Sequence, residues 1–375
     1  MSFSSRTVFW GFLASALATP GVIHEHSPSS VRSLAAYNVT RNSSFEVYSH
    51  EFTSILGNNP SLNSILTSAN ASFAQFHEAG ILFQEKPNPV LFITSNQYDV
   101  EGSPTTNNKA VAISKVSYDG NAWNAEIVKS TGYPVSLANG GCKYKEGIVL
   151  LDQGTLTTHG GLVYMNGTTP YGTSLLIDNF YGHPFNSPND VVAASDGALW
   201  FTDPSYGSWQ GIRGDPRLPP QVYRFMPGTN NIRVVADGLD QPNGIAFSPD
   251  EKTVYITDAT GNSTALTSPR TIYAYDVVNK AGQPSLINKR VFAMAEKGLP
   301  DGIKTDAEGN VYVGCGDGVS VWNAGGMMLG KIKVEGGSAN LVLGEGKVWL
   351  LNELQLWEAS VATPALKIND VKKDD

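Results

Sequence analysis

A chain of 375 residues holds two average domains or one large β domain, and its 41% apolar and 16% charged composition describes an ordinary folded protein with a sizeable core. The formal net charge of −8 excludes a sequence-independent phosphate-backbone binder, which needs clustered Lys and Arg, so nucleic acid is not an expected partner.

In chain order, the first feature is an export signal. Arg6 precedes the apolar run Val8 to Leu17, and Ala16-Leu17-Ala18 supplies small residues for cleavage. The run is too short to span a bilayer, and no later segment approaches ~18 consecutive apolar residues. Residues 1–18 therefore read as a secretory signal peptide and 19–375 as a single mature domain, secreted or lumenal, with no membrane partner. Five Asn-x-Ser/Thr sequons, at Asn38, Asn42, Asn70, Asn166 and Asn262, fit a glycoprotein. Cys142 and Cys315 allow one bridge or two buried thiols, and a domain this large needs no disulfide framework.

The middle of the chain is repetitive. PNDVVAASDGALWFTD from Pro188, PNGIAFSPDEKTVYITD from Pro242 and PDGIKTDAEGNVYVGCGD from Pro300 share a Pro-Asn or Pro-Asp start, an alternating apolar strand, a turn and a second strand rich in Val, Ile, Tyr and Trp. Weaker copies begin near Glu78, Asn139 and Ala339, giving six. Their spacing suits four-stranded blades of ~40–45 residues with some long loops. No window sustains the helical i, i+3, i+4, i+7 pattern. The fold class is all-β, a six-bladed β-propeller with four-stranded blades. FEVYSHEF from Phe45 is expected to add an outer strand to the last blade, where LQLWEASV from Leu354 ends the domain and closure removes an exposed edge.

In an antiparallel hairpin the start of the first strand and the end of the second lie at one end of the blade. Glu78, Asn189, Asn243 and Asp301 should therefore share a rim with Asn96, Asp152, Asp203 and Asp258. Oxygen-bearing side chains without balancing Lys or Arg are the composition of a hard-cation site. Asn and Asp are also ordinary turn residues, but a turn has no use for the Glu of the first copy. Zinc would prefer Cys and His, and the six His residues show no paired ligand spacing, so a divalent ion of calcium type is expected. This pattern does not say which of the six leading positions bind it.

Other motifs are weaker. Gly325 to Lys331 imitates a phosphate loop, but Ile332 replaces the required Ser/Thr. No G-x-S-x-G elbow is present. His77, His159 and His183 stand alone in sequence as possible proton carriers, and the insertion from Pro204 carrying Tyr206, Trp209 and Arg213 reads equally as a pocket wall or a rigid surface loop.

With these residues in place, the chain resembles the gluconolactonase, regucalcin and fungal lactonohydrolase family of six-bladed propellers. FNSPNDVVAASDGALWFTDPSYG from Phe185 is similar to that family's most specific segment, and QPNGIAFSPDEKTVYITD and LPDGIKTDAEGNVYV follow in order, the resemblance running from about Glu78 to Leu351. It implies a divalent metal, usually calcium, held by Glu78, Asn189, Asn243 and Asp301. The first blade departs from the family with EAGILF, and the last with SANLVLG. The implied activity is hydrolysis of a lactone or related ester, a small-molecule substrate, with Asp301, or another rim carboxylate such as Asp258, taking the proton and Asn189 positioning the ion. Two other functions fit the same fold: a cyclase of fungal specialised metabolism performing a hetero-Diels–Alder or other pericyclic step, and a non-catalytic binding propeller.

Overall fold

The computed structural model describes residues 44–70, 72–84, 86–100, 109–260 and 270–362. The export signal and the sequons at Asn38, Asn42 and Asn262 lie outside the described residues. Asn70 and Asn166 are exposed, as glycan acceptors must be.

Among the described residues, six sheets of four or five strands, antiparallel except for one short edge strand in the second, follow one another around a central channel. Their innermost strands are Glu78–Gln84, Ala138–Tyr144, Val191–Ala193, Pro242–Phe247, Ile303–Thr305 and Asn340–Gly344. Each is paired with a following strand buried along nearly its whole length, as in Leu199–Asp203 and Val311–Cys315. Such strands are apolar throughout rather than alternating, because each blade packs a neighbour on both faces. The core accordingly divides into six clusters, one for each pair of adjacent blades. The sixth joins Leu82, Leu91 and Ile93 of the first blade to Val342, Trp349 and Leu351 of the last, which closes the ring.

Closure differs from the sequence expectation. Phe45–Val47 does not join the last blade; it pairs antiparallel with Met328–Lys333 and gives the fifth blade a fifth strand. The last blade contributes three strands of its own and takes its outermost from Ser61–Thr67, paired with Gln355–Ser360. The second blade also has a fifth strand, Thr131–Gly132, so four strands per blade is the rule with two additions. Between the two N-terminal strands lies a helix, His50–Leu56, where the period-two reading expected strand. Ser49 caps it by accepting from Glu51 N at 3.2 Å, Gly57 ends it at φ 73°, and Phe52, Ile55 and Leu56 form its buried face. Phe52 fills the space that a side chain at Gly330 would take, since a Cβ there would lie 2.2 Å from its ring.

Among the described residues no helix is long and apolar enough to cross a membrane. Cys142 and Cys315 are free thiols rather than a bridge, Cys315 buried and Cys142 half-buried where the sequence reading had both buried.

Phe52→Ala should destabilise the protein by about 3–5 kcal/mol, because the ring is fully buried between the N-terminal helix and the fifth blade. Urea denaturation measures this, and a loss under about 1 kcal/mol would mean that the helix does not tie the ring.

Candidate metal and active site at the channel mouth

The inner strands crowd at one end of the channel, and the local sequence answers that crowding. A Cβ at Gly244 would lie 2.5 Å from Asp301 O, and one at Gly302 would lie 2.2 Å from Asn340 Cγ. The Gly after Asn243 and the Gly after Asp301 are thus required by the next blade's leading residue. Buried hydroxyls latch the same carbonyls: Thr94 Oγ1 donates to Asn139 O at 2.8 Å, Thr202 Oγ1 to Asn243 O at 2.6 Å, and Thr257 Oγ1 to Asp301 O at 2.8 Å. In the second blade, where Leu151 stands in place of the Thr, Gly140 N donates to Asn189 O at 2.8 Å instead.

These contacts bring Glu78, Asn189, Asn243 and Asp301 to one mouth. Glu78, Asn189 and Asn243 are buried, and the Asp301 carboxyl accepts from the side chains of Glu78 and Asn243. Burial pushes the Asp301 carboxyl up to about 7, against the pull of those two hydrogen bonds. Burial, then the neighbouring Asp301, holds Glu78 well above the usual carboxylate range. Asn189 Oδ1, Asn243 Oδ1 and Asp301 Oδ1 are buried and have no hydrogen-bond partner. A buried acceptor left unmade costs roughly 1–3 kcal/mol, so three at one place mark a position shaped for a donor or a cation. Among the described residues no three His, Cys, Asp or Glu side chains come together as metal ligands. The mouth instead offers two carboxylates and two amide oxygens, a donor set that fits a hard divalent ion such as calcium.

Two supporting residues were not singled out as such in the sequence. Asn340, fully buried at the head of the last blade, donates from Nδ2 to Glu78 Oε2 at 2.7 Å while its Oδ1 accepts from Leu341 N at 2.8 Å. It stands one residue after Ala339, and its place opposite the Asn of the other repeats is the signal that finds it. His77 is not isolated: its Nδ1 lies 2.7 Å from Glu353 Oε1, and burial, which lowers its pKa, is outweighed by that carboxylate, raising it to about 9.

The strand-end carboxylates have another role. Asp152 accepts from Ser136 N and Leu137 N, Asp203 from Asn186 N and Ser187 N, and Asp258 from Asp240 N and Gln241 N. Each clips the segment leading into its own blade, so Asp258 is committed to backbone and is not placed to carry a reacting proton. Asn96 points its amide at Glu353, with Nδ2 to Oε2 at 3.3 Å.

The insertion after Asp203 reaches the site. Tyr206 is buried, and its hydroxyl donates to Ala259 O at 2.8 Å and sits 3.5 Å from Asn243 Nδ2, the weak end of hydrogen-bonding range. Trp209 stacks edge-on against Tyr206 with centroids 5.8 Å apart and is 41% exposed. Arg213 pins the insertion, donating to the carbonyls of Asn186, Thr155, Thr158 and Phe185. A cleft of about 240 Å³ opens beside it, lined by Leu156, His159, Pro184, Asn186 and Ser208 among others, and none of the four candidate ligands lines it. His159 faces Asp178 at 3.3 Å. His183 lies exposed in a two-residue strand.

A family model described as the SMP-30/Gluconolactonase/LRE-like region matches residues 134–354, which contain Asn189, Asn243 and Asp301 but not Glu78. The chain is 40% identical over 166 residues to the lactonohydrolase oryL of Aspergillus oryzae, covering 40% of this chain and 37% of that one. It is 32% identical over 179 residues to a gluconolactonase of Zymomonas mobilis, covering 46% and 49%. The matched stretches thus span about half or less of these curated relatives. A solved gluconolactonase from Xanthomonas campestris superposes with a TM-score of 0.64 at 25% identity, over 85% of this chain and 95% of that one.

Burial raises the Asp203 carboxyl to about 7, so the folded protein binds that proton more tightly than the unfolded chain. Its contribution to stability is full below the ordinary aspartate pKa and is lost as pH rises towards 7. Asp203→Asn should therefore flatten the dependence of the urea midpoint on pH between about 4 and 7. A slope identical to that of the wild type would show that Asp203 does not titrate there.

Proposed function

Because this chain belongs to the SMP-30/Gluconolactonase/LRE-like family, we propose that it is a hydrolase that opens a lactone or related cyclic ester at the channel mouth, with a divalent cation, calcium by the chemistry of its donors, held by Glu78, Asn189, Asn243 and Asp301. The observation that carries the reading is the set of buried, unpartnered oxygens on Asn189, Asn243 and Asp301 beside a second carboxylate. The relatives named lactonohydrolase and gluconolactonase support the reaction class.

A cation bound there supplies Lewis acidity towards a carbonyl oxygen and towards water. The chain's own residues do the rest. Asn340 fixes Glu78 through Oε2, and the Thr202 and Thr257 latches fix the backbones of Asn243 and Asp301, so the oxygens are aimed before substrate arrives. The Asp301 carboxyl accepts a proton from the attacking water and returns it to the ring oxygen as the ester bond opens. No covalent intermediate is invoked. Tyr206 and Trp209 form an aromatic wall from the buried site out to solvent, against which a small-molecule substrate lies.

Export belongs to the same proposal. Exposed Asn70 and Asn166 suit a secreted glycoprotein, and intact mass before and after deglycosylation tests it. Modified protein lacking the first residues is expected, and unmodified protein retaining Met1 contradicts it.

Glu78→Gln and Asp301→Asn should each weaken calcium binding, and Asn340→Ala should do so by about 10- to 100-fold by loosening Glu78. Calorimetry on the three variants checks this, and unchanged affinity in both carboxylate variants rules out the site. For the reaction, turnover of a lactone panel should stop on chelation and return with calcium, and hydrolysis in ¹⁸O-water should place the label in the product carboxylate. Inactivity on lactones together with stereoselective cyclisation of an unsaturated precursor, without water uptake, overturns the hydrolase reading.

A further inference from the structure

At the end of the propeller opposite the mouth, between the third and fourth blades, three buried nitrogen donors stand in a row. Trp200 is directly opposite Arg224 in the sheet, and Arg224 is directly opposite Arg233. Directly opposed residues on antiparallel strands project from the same face with Cβ atoms ~4.5–5.5 Å apart, so Arg224 stands between Trp200 and Arg233 and neighbours both on one face. That face is the one turned to the fourth blade: Trp200 packs edge-on against Phe247 with centroids 5.4 Å apart, and Arg233 Nη2 donates to Pro284 O. Trp200 is 1% and Arg224 4% exposed. Trp200 Nε1, Arg224 Nε and Arg233 Nε are all buried without a hydrogen-bond partner.

Charge points the same way. The cluster carries two guanidinium groups, and among the described residues its one carboxylate contact is Arg224 Nη2 to Asp196 Oδ2 at 2.7 Å. The surrounding residues of the fourth blade, Tyr275, Val277 and Leu286, are apolar or neutral. One net positive charge remains on a pair of guanidinium groups whose Nε atoms are removed from water, Arg224 buried and Arg233 half-buried. A single buried water is a poor occupant, because it accepts two hydrogen bonds where three donors wait and leaves the residual positive charge uncancelled. A small monovalent anion accepts from several N–H groups at once and cancels the residual charge.

We propose that Trp200, Arg224 and Arg233 form a structural site for a chloride-sized monovalent anion, which ties the third blade to the fourth. The site is independent of the lactonase reading, since it shares no residue with the mouth.

Crystals of the full chain soaked in sodium bromide should show an anomalous peak between the three nitrogens. In solution the thermal midpoint should rise with sodium chloride at constant ionic strength, made up with sodium methanesulfonate, by on the order of 2 °C per tenfold increase once chloride exceeds its dissociation constant. Arg233→Met keeps the packing of the stem and removes a donor and a charge; Trp200→Phe removes a single donor. Each should raise the chloride needed for half of the effect by about tenfold or more, while calcium affinity at the mouth stays unchanged. A site without bromide, a wild-type midpoint indifferent to chloride, or a chloride response unaltered in both variants overturns the inference. If either variant fails to fold, the bromide peak in the wild type decides.

Discussion

Six sheets can surround a narrow channel only if their inner strands approach more closely than ordinary side chains allow, and that steric demand organises the mouth. At Gly244 and Gly302 the chain has given up its side chain so that the next blade's leading residue can pass within van der Waals distance. The carbonyls brought so close are then held by Thr202 and Thr257 from the neighbouring second strands. The same packing that closes the ring therefore fixes the backbones of Asn243 and Asp301. Their side chains have one direction left, into the channel, where the unpartnered oxygens collect. Structure and chemistry at this end share a cause, and a polar cluster that would be costly elsewhere is tolerated because the blades leave it nowhere else to go.

Much of this was legible in the residues. The Pro-Asn and Pro-Asp starts, repeated before β-rich strands, give the propeller and put Asn189, Asn243 and Asp301 at one rim, because period and turn chemistry are local properties, while their choice as ligands comes from the family resemblance. What failed was non-local. Phe45–Val47 and Ser61–Thr67 each pair with strands near the far end of the chain, and nothing in a short strand names its partner. Phe52, Ile55 and Leu56 follow helical spacing, but a helix of seven residues is too short to stand out in a β-rich pattern. Asn340 was passed over because the last repeat lacks the flanking Pro and Gly that mark the others.

The acids at strand ends show a different limit. Asp152, Asp203 and Asp258 lie at the same rim as the candidate ligands, and composition alone assigns both groups to the same chemistry. Their separation is a matter of direction: the strand-end carboxylates turn towards backbone N–H groups of the incoming segment, and the leading residues turn towards the channel. His77 escaped for the reverse reason, since its partner Glu353 lies in the last blade and meets it only once the ring is closed.

Ring closure through Ser61–Thr67 sets a schedule for synthesis. This strand is made early, yet its partner, Gln355–Ser360, follows it by almost 300 residues. At ~5–20 residues per second the wait is roughly 15–60 s, during which a seven-residue strand, and Phe45–Val47 with it, has no sheet to join. The blades between can collapse in sequence, but each growing array presents an open edge until the last one arrives. The early strand therefore depends on whatever shields nascent chains until residues 355–360 emerge, and release before the final blade leaves a molecule with two complementary sticky ends, suited to joining a second copy.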